Sequence, residues 1–269
     1  MTLKFGKSIL ILVPHPDDEV VGFAAAIGRA KADGAKVSVI FLTHGCVDRE
    51  SMWPWARDRY EAAVGRRRAE AERATAALGV EVVGWTLRPA RHLWRELDAG
   101  EAEVRRAVAA VGADQIWTTA YEGGNPDHDG ANAIASRLAA DGVEVLEFAE
   151  YNFLGGRTRL HRFPHLTGAE QVLELTPAEQ AMKRQGLRTY ASERGNLAFV
   201  AIKREMFRPL ARYDYGAPPH EGKPFFSRFQ WVPFRHPMVD FTPYGDVYAA
   251  IAAYLAGARR TTAGVSEAA

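Results

Sequence analysis

A histidine followed by three acids in close succession stands near the start of the chain, in Pro14-His15-Pro16-Asp17-Asp18-Glu19. Packing like charges this closely raises their energy unless a cation compensates. A helix N-cap would account for one of these carboxylates, but not for three acids and an imidazole. A second run, Asn125-Pro126-Asp127-His128-Asp129, repeats the mixture of His and Asp far along the chain. Two imidazoles and a carboxylate with coordination positions left open suit catalytic zinc. They suit non-haem ferrous iron equally well. An uncommitted carboxylate beside the ion favours hydrolysis, because it can take a proton from water while the ion polarises a carbonyl.

For this chemistry the two runs have to meet, and the hydrophobic pattern says how. Residues 8–13 are a continuous apolar run of the kind that forms a buried parallel strand, and it ends at Pro14. A helix is expected over 18–32, ended by Gly34, and a second strand over 36–43. After a loop rich in Trp and Pro come a helix over 57–78 closed by Gly79, a strand over 80–85 and a helix over 96–111. A fourth strand over 115–119, a helix over 129–140 and a fifth strand over 143–148 complete the alternation. Repeated βα units imply a Rossmann-like, doubly wound α/β fold with a mostly parallel sheet. In the strand order 3-2-1-4-5 the first and fourth strands are neighbours at the topological switch point, so the loops carrying His15 and His128 converge there. A flavodoxin-type order would keep them apart.

Residues 1–150 therefore read as a metal-binding catalytic core. Residues 151–258 read as a smaller, irregular, partly antiparallel portion of the same compact unit, walling the substrate pocket. Short antiparallel strands are expected at 158–162 and 171–175, and Thr176-Pro177-Ala178-Glu179 opens a helix with a capping box. No period is evident over 208–243; a last helix is expected over 243–256, and a disordered tail over 259–269.

Composition narrows the function classes. With 269 residues, 47% hydrophobic and 25% charged, the chain can bury its apolar surface without staples. A net charge of +1 gives no electrostatic case for nucleic acid or an acidic membrane as partner. Arg66-Arg67-Arg68 is flanked by Glu61, Glu70 and Glu72 and reads as a solvated helix face. Cys46 is the single cysteine, which excludes a disulfide framework within the chain and fits a reducing compartment. No segment approaches the ~20 apolar residues of a membrane span. A cytoplasmic protein is expected.

The paired runs resemble the signature of the PIG-L/LmbE-like zinc-dependent N-acetylglucosaminyl deacetylases. That family reads His-Pro-Asp-Asp-Glu after its first strand and typically His-Pro-Asp-His after its fourth. The resemblance covers about the first 150 residues and takes in Thr43-His44-Gly45, and Arg67 with Glu70 leading to Leu78-Gly79-Val80. It implies a hydrolase that removes the N-acetyl group of a small-molecule amino-sugar substrate, and it leaves a homo-oligomer open. His15, Asp18 and His128 would hold zinc (Zn2+), with ferrous iron or another divalent ion as alternatives. Asp17 would act as general base towards the attacking water and return the proton to the leaving amine. Glu19 would orient the ligands from behind. Arg67 matches a position that contacts substrate, with a helix-surface charge as the competing reading; Arg68 and His44 are further candidates to face the substrate.

The chain also departs from that pattern. Position 125 is Asn where the family has a His that stabilises the oxyanion or protonates the leaving group, steered by the Asp two residues on. Asn125 can donate a hydrogen bond to an oxyanion but cannot deliver a proton. Either Asp17 then handles both proton transfers, or another residue such as His44 substitutes, or the protein is slow or inactive. Asp127, lacking the His it would steer, is expected to fix the loop. After the third strand the family often places an Asp that binds sugar, whereas this chain reads Thr86-Leu87-Arg88-Pro89 and then Arg91-His92. The aromatics from Tyr213 to Phe234 suit stacking on a sugar face, a satellite core or an oligomer interface. Two other readings stand beside deacetylation: an amidase on another N-acyl substrate, such as a thiol conjugate or antibiotic intermediate, and a metal-containing sugar-binding module weakened at Asn125.

Overall fold

The computed structural model describes residues 4–234 and 236–266, with side chains to residue 257. The first apolar run forms β1 (Ser8–Val13), and α1 (Asp18–Val21) and α2 (Ala24–Ala32) make the first crossover. β2 (Lys36–Phe41), α3 (Tyr60–Leu78), β3 (Glu81–Trp85), α4 (Leu97–Val111), β4 (Gln115–Thr119), α5 (Pro126–Ala140) and β5 (Glu144–Ala149) follow. The second half contributes β6 (Tyr151–Asn152), β7 (Arg159–Leu160), β8 (Gln171–Glu174), α6 (Pro177–Thr189), α7 (Arg194–Leu197), β9 (Arg204–Pro209) and α8 (Tyr244–Ser266).

Seven strands make one sheet in the order β3-β2-β1-β4-β5-β9-β8, and β6 pairs with β7 separately. The five strands of the first half are parallel and keep the expected 3-2-1-4-5 order, with Ile9 opposite Gln115 and Ile11 opposite Trp117 between β1 and β4. Successive β1 side chains leave the sheet on opposite faces. Leu10 and Leu12 meet Leu97, Ile134 and Ile251 on one side, while Ile9, Ile11 and Val13 meet Phe23, Ile27 and Phe148 on the other. Burial on both faces is why β1 is apolar without alternation. Among the described residues, no helix is long and apolar enough to cross a membrane.

Several boundaries differ from the sequence reading, each for a local reason. The helix expected over 18–32 is broken at Gly22, where a Cβ would lie 2.6 Å from a Glu150 carboxylate oxygen. The helix expected from 57 begins at Tyr60, after 3-10 turns at Arg49–Ser51 and Pro54–Arg59. α5 starts at Pro126 rather than 129, because the Asn125 side chain caps it by accepting from Asp127 N at 2.9 Å. His128 therefore stands in the first turn of a helix and not on a loop. β9 escaped detection, since Arg-Glu-Met-Phe-Arg-Pro has no apolar alternation to announce a strand. It pairs antiparallel with both β5 and β8, so the second half shares the sheet of the first. α8 continues to Ser266, so residues 259–266 of the expected tail are helical, in keeping with their alanine-rich approach. Residues 267–269 of that expectation lie outside the described residues.

β9 also carries a buried charge that locks the halves together. The Glu205 carboxylate accepts from Ala25 N and Ala26 N, each at 3.0 Å, at the positive end of α2. Lys183 of α6 donates to Glu205 at 2.9 Å and to Val21 O at 2.7 Å. Removing one partner of such a pair strands the other charge in the interior, at about 3–5 kcal/mol. Lys183→Met should therefore lower unfolding free energy by that order in urea titration, and Lys183→Met with Glu205→Gln should recover part of it. A single variant as stable as the parent would show that the pair does not hold α6 to the sheet.

Candidate metal centre

At the carboxyl end of β1 the chain turns through Pro14, His15, Pro16 and Asp17 into α1. Asp17 sits at φ 140°, a region that costs a non-glycine residue about 1–3 kcal/mol. Its peptide is held there from both sides: Asp17 N donates to Glu19 Oε2 at 3.0 Å, and Asp17 O accepts from Val20 N and Val21 N at 2.9 Å. The unusual backbone lets adjacent carboxylates face different partners. Asp18 meets the two histidines, and Asp17 meets Arg67.

Three ligand atoms form a nearly equilateral triangle. His15 Nδ1 lies 3.2 Å from Asp18 Oδ2, His128 Nε2 lies 3.2 Å from the same oxygen, and the two nitrogens are 3.3 Å apart. A tetrahedral ion with bonds of about 2.0–2.1 Å sets its ligand atoms about 3.3 Å apart. The three residues are buried, and among the described residues they form the group able to hold a metal ion. The donor set and its spacing fit a zinc-sized divalent cation.

The surrounding groups orient these ligands. Asp127 Oδ2 accepts from His15 Nε2 at 2.9 Å, which leaves the Nδ1 lone pair facing the triangle. The same carboxylate accepts from Arg91 N, and from Leu93 N at 2.9 Å. Asp127 thus ties the 91–93 loop to the site, and it orients His15 rather than a residue at 125. Glu19 does not touch the ligands; it braces the Asp17 peptide and accepts from the Tyr190 hydroxyl.

One carboxylate in this shell was missed by the sequence reading. Glu150, just past β5, lies with Oε2 3.8 Å from His128 Nδ1. That nitrogen and both Glu150 oxygens have no hydrogen-bond partner. Glu122 holds the segment in place by accepting from Glu150 N at 2.6 Å and Tyr151 N at 2.9 Å. The available signal was an acid at the carboxyl end of the fifth strand, where open α/β sheets build their sites.

Protonation follows from this crowding. Burial alone would lower the His15 imidazolium, but hydrogen bonds to Asp127 and Asp18 outweigh it and push its pKa up to about 10. Burial works upward on Asp18 too, and His128 and His15 overcome it, holding that carboxyl well below the usual carboxylate range. For Asp17, burial and the neighbouring Asp18 outweigh Arg67 and His15, and its pKa rises to about 8. A cation among these groups would have to displace the His15 proton, since metal ligands bind deprotonated.

The remaining candidates divide. Arg67 is 3% exposed, so the surface-charge reading is corrected. It donates to Pro16 O at 3.0 Å, pairs with Glu193 and lies 3.6 Å from Asp17 Oδ2. Arg68 is turned about 100° away along the helix and faces solvent, bonded to Glu72 at 3.0 Å beside the Trp85 ring. It does not point inward. His44 uses both ring nitrogens, with Cys46 N at 3.2 Å and the Tyr60 hydroxyl at 3.0 Å, and is absent from the cavity wall, so it is not placed to stand in for the missing acid. Asn125 lines the cavity. Its Oδ1 is committed to Asp127 N, so the free end is the donor Nδ2.

The triangle opens on a cavity of about 440 Å³. Asp17, Arg67 and Glu150 line it near the ligands, and Trp53, Phe199, Phe225 and Phe229 form apolar wall further out. Tyr213 and Tyr215, by contrast, pack in the core against Tyr121. His161 is buried, with its ring nitrogens facing Ala149 O and Ala201 O.

Comparison with known proteins finds similar chains among deacetylases. The PIG-L family model, described as GlcNAc-PI de-N-acetylase, matches residues 10–139. A 1D-myo-inositol 2-acetamido-2-deoxy-alpha-D-glucopyranoside deacetylase of Tsukamurella paurometabola is 33% identical over 145 residues, covering 52% of this chain and 42% of that protein. Its namesake from Thermobispora bispora is 30% identical over 160 residues, covering 50% and 53%. The chain spans about half the length of the curated relatives it matches. A solved deacetylase of the teicoplanin biosynthesis pathway, 19% identical, shares the fold with a TM-score of 0.61 over 77% of this chain and 99% of that one.

Because Asp127 fixes the tautomer of His15, Asp127→Ala should weaken zinc binding about 10–100-fold in chelator competition. Affinity within threefold of the parent would mean that His15 needs no such partner.

Proposed function

Over residues 10–139 this chain belongs to the PIG-L family, and on that footing we propose that it is a metal-dependent hydrolase removing the N-acetyl group of an amino-sugar substrate. The observation that carries this reading is the triangle of His15, Asp18 and His128 atoms, 3.2–3.3 Å on a side, with Asp17 beside it at the floor of a cavity. We assign zinc to the triangle; two imidazoles and one carboxylate also suit ferrous iron. When bound, the ion supplies Lewis acidity towards the acyl oxygen and acidifies water.

The chain's own groups account for the proton movements. Asp17 takes a proton from the attacking water as the new C–O bond forms, and a carboxylate with a raised pKa is matched to that task. Arg67, 3.6 Å away, steadies its charged form. Asn125 Nδ2 donates to the developing oxyanion. As the C–N bond breaks, Asp17 returns its proton to the amine nitrogen, giving acetate and a free amino sugar. With His44 already bonded through both nitrogens, Asp17 serves both transfers.

One observation favours a second reading on the same scaffold. The aromatic wall of Trp53, Phe199, Phe225 and Phe229 offers room for an apolar group, as an amidase acting on a longer N-acyl chain would need. Rates across an acyl-length series separate the two.

Amine release from N-acetylated sugars by the zinc-loaded protein tests the proposal, with chelation abolishing it. Asp17→Asn should keep stoichiometric metal and lose about 10²–10⁴-fold in rate. Asn125→Ala should cost about 10²–10³-fold in kcat. An active Asp17→Asn variant would remove the proposed base. Turnover only by Asn125→His would mark the natural protein as a binder rather than an enzyme.

A further inference from the structure

The cavity wall contains a second polar pair that the hydrolytic steps do not use. Asp240, only 7% exposed, lines the cavity, and its Oδ2 has no hydrogen-bond partner. Its other oxygen accepts from Thr242 N at 2.9 Å, and its carbonyl accepts from Gln230 Nε2 at 3.0 Å, so the carboxylate is held in one orientation. Arg91, also in the wall, brings Nε to 3.6 Å from Asp240 Oδ2, beyond hydrogen-bond reach. Arg91 is itself pinned: its backbone is at φ 70°, its N donates to Asp127, its carbonyl accepts from Trp94 Nε1 at 2.9 Å, and Nη1 reaches Val239 O at 3.2 Å.

A buried carboxylate oxygen without a donor is costly, and native proteins rarely leave one so. The pair also restricts what can satisfy it. A cation would be repelled by Arg91, an anion by Asp240, and an apolar group would leave both unsatisfied. An alcohol is donor and acceptor at once, and can donate a hydrogen bond to Asp240 while accepting one from Arg91. We propose that Arg91 and Asp240 form a hydroxyl-recognition subsite that holds ring hydroxyls of the amino-sugar substrate. This rests on the deacetylase reading above. Asp127 sets its register, because one carboxylate oxygen accepts from both Arg91 N and the metal-facing His15, tying the subsite to the reacting centre.

The test uses the zinc-loaded full chain with methyl N-acetylglucosaminide and its 3-, 4- and 6-deoxy analogues. Sites built around a hydroxyl discriminate strongly against substrates lacking it. The parent should therefore lose at least about 10²-fold in kcat/KM on one deoxy analogue. Asp240→Asn and Arg91→Gln should raise KM for the parent sugar about 10–100-fold, the worth of a charge-assisted hydrogen bond. Both should also abolish the deoxy discrimination, with zinc affinity and melting temperature unchanged. A purely structural pair would lower stability without changing which hydroxyl matters. If the parent turns over the sugar with no deoxy preference, or both variants keep it, the subsite is overturned and the deacetylase reading stands. If the parent releases amine from no N-acetylated sugar, both fall together.

Discussion

Carboxylates outnumber their partners at the end of β1. Asp17, Asp18, Asp127 and Glu150 are buried around one point, and the cationic or protonatable groups facing them there are His15, His128 and Arg67. In water such a cluster would simply spread apart; in the interior each charge must be matched or neutralised. The unusual backbone at Asp17, the buried arginine on α3 and the hydrogen bond from His15 to Asp127 are all responses to that constraint. A divalent cation inside the triangle resolves it more completely than any of them, which is why the arrangement reads as a metal centre and not as a collection of salt bridges.

The rest of the fold can be read as scaffolding for this cluster. β1 and β4 must be neighbours for His15 and His128 to meet, and their packing on both faces makes that edge rigid. The second half does more than cover a pocket. Through β9 it contributes Glu205, which binds the start of α2, and through α6 it contributes Lys183, which reaches Val21 just behind the Asp18 turn. Strain at Asp17 can persist only where the surroundings over-determine the backbone, and these contacts supply that from behind.

Most of the parallel core was legible because its signals are local. Continuous apolar strands, Gly79 closing a helix and the two His/Asp runs each carry their meaning within a few residues. The meeting of the two runs followed from topology, since placing the first and fourth strands side by side brings them to one edge, and the family resemblance singled out His15, Asp18 and His128 within them. What stayed hidden depended on partners far along the chain. Glu150 looks like any acid after a strand until His128 is beside it. β9 has no strand pattern, because its charged side chains are satisfied by Lys183, Glu147 and the α2 backbone. Arg67 sits in a basic run that reads as a solvated face, and only the helix phase separates it from Arg68. Asn125 left three readings open by comparison with a histidine, whereas in place it is also the cap that starts the helix carrying His128.

Asp127 gives these observations an evolutionary edge. A single carboxylate anchors both a metal-facing imidazole and the loop that presents Arg91. On the proposed reading, what the protein accepts and how tightly it holds an ion are coupled traits, not separate dials. A lineage drifting towards a new ligand by moving the backbone of the 91–93 segment would disturb the orientation of His15 as a side effect, whereas exchanging the Arg91 side chain alone would not. Divergence in this chain should accordingly be easier at Phe199 and Phe229 of the aromatic wall than at Phe225, whose backbone is bonded to Gly123 ahead of the His128 helix, and slowest at the oxygen shared by Arg91 N and His15.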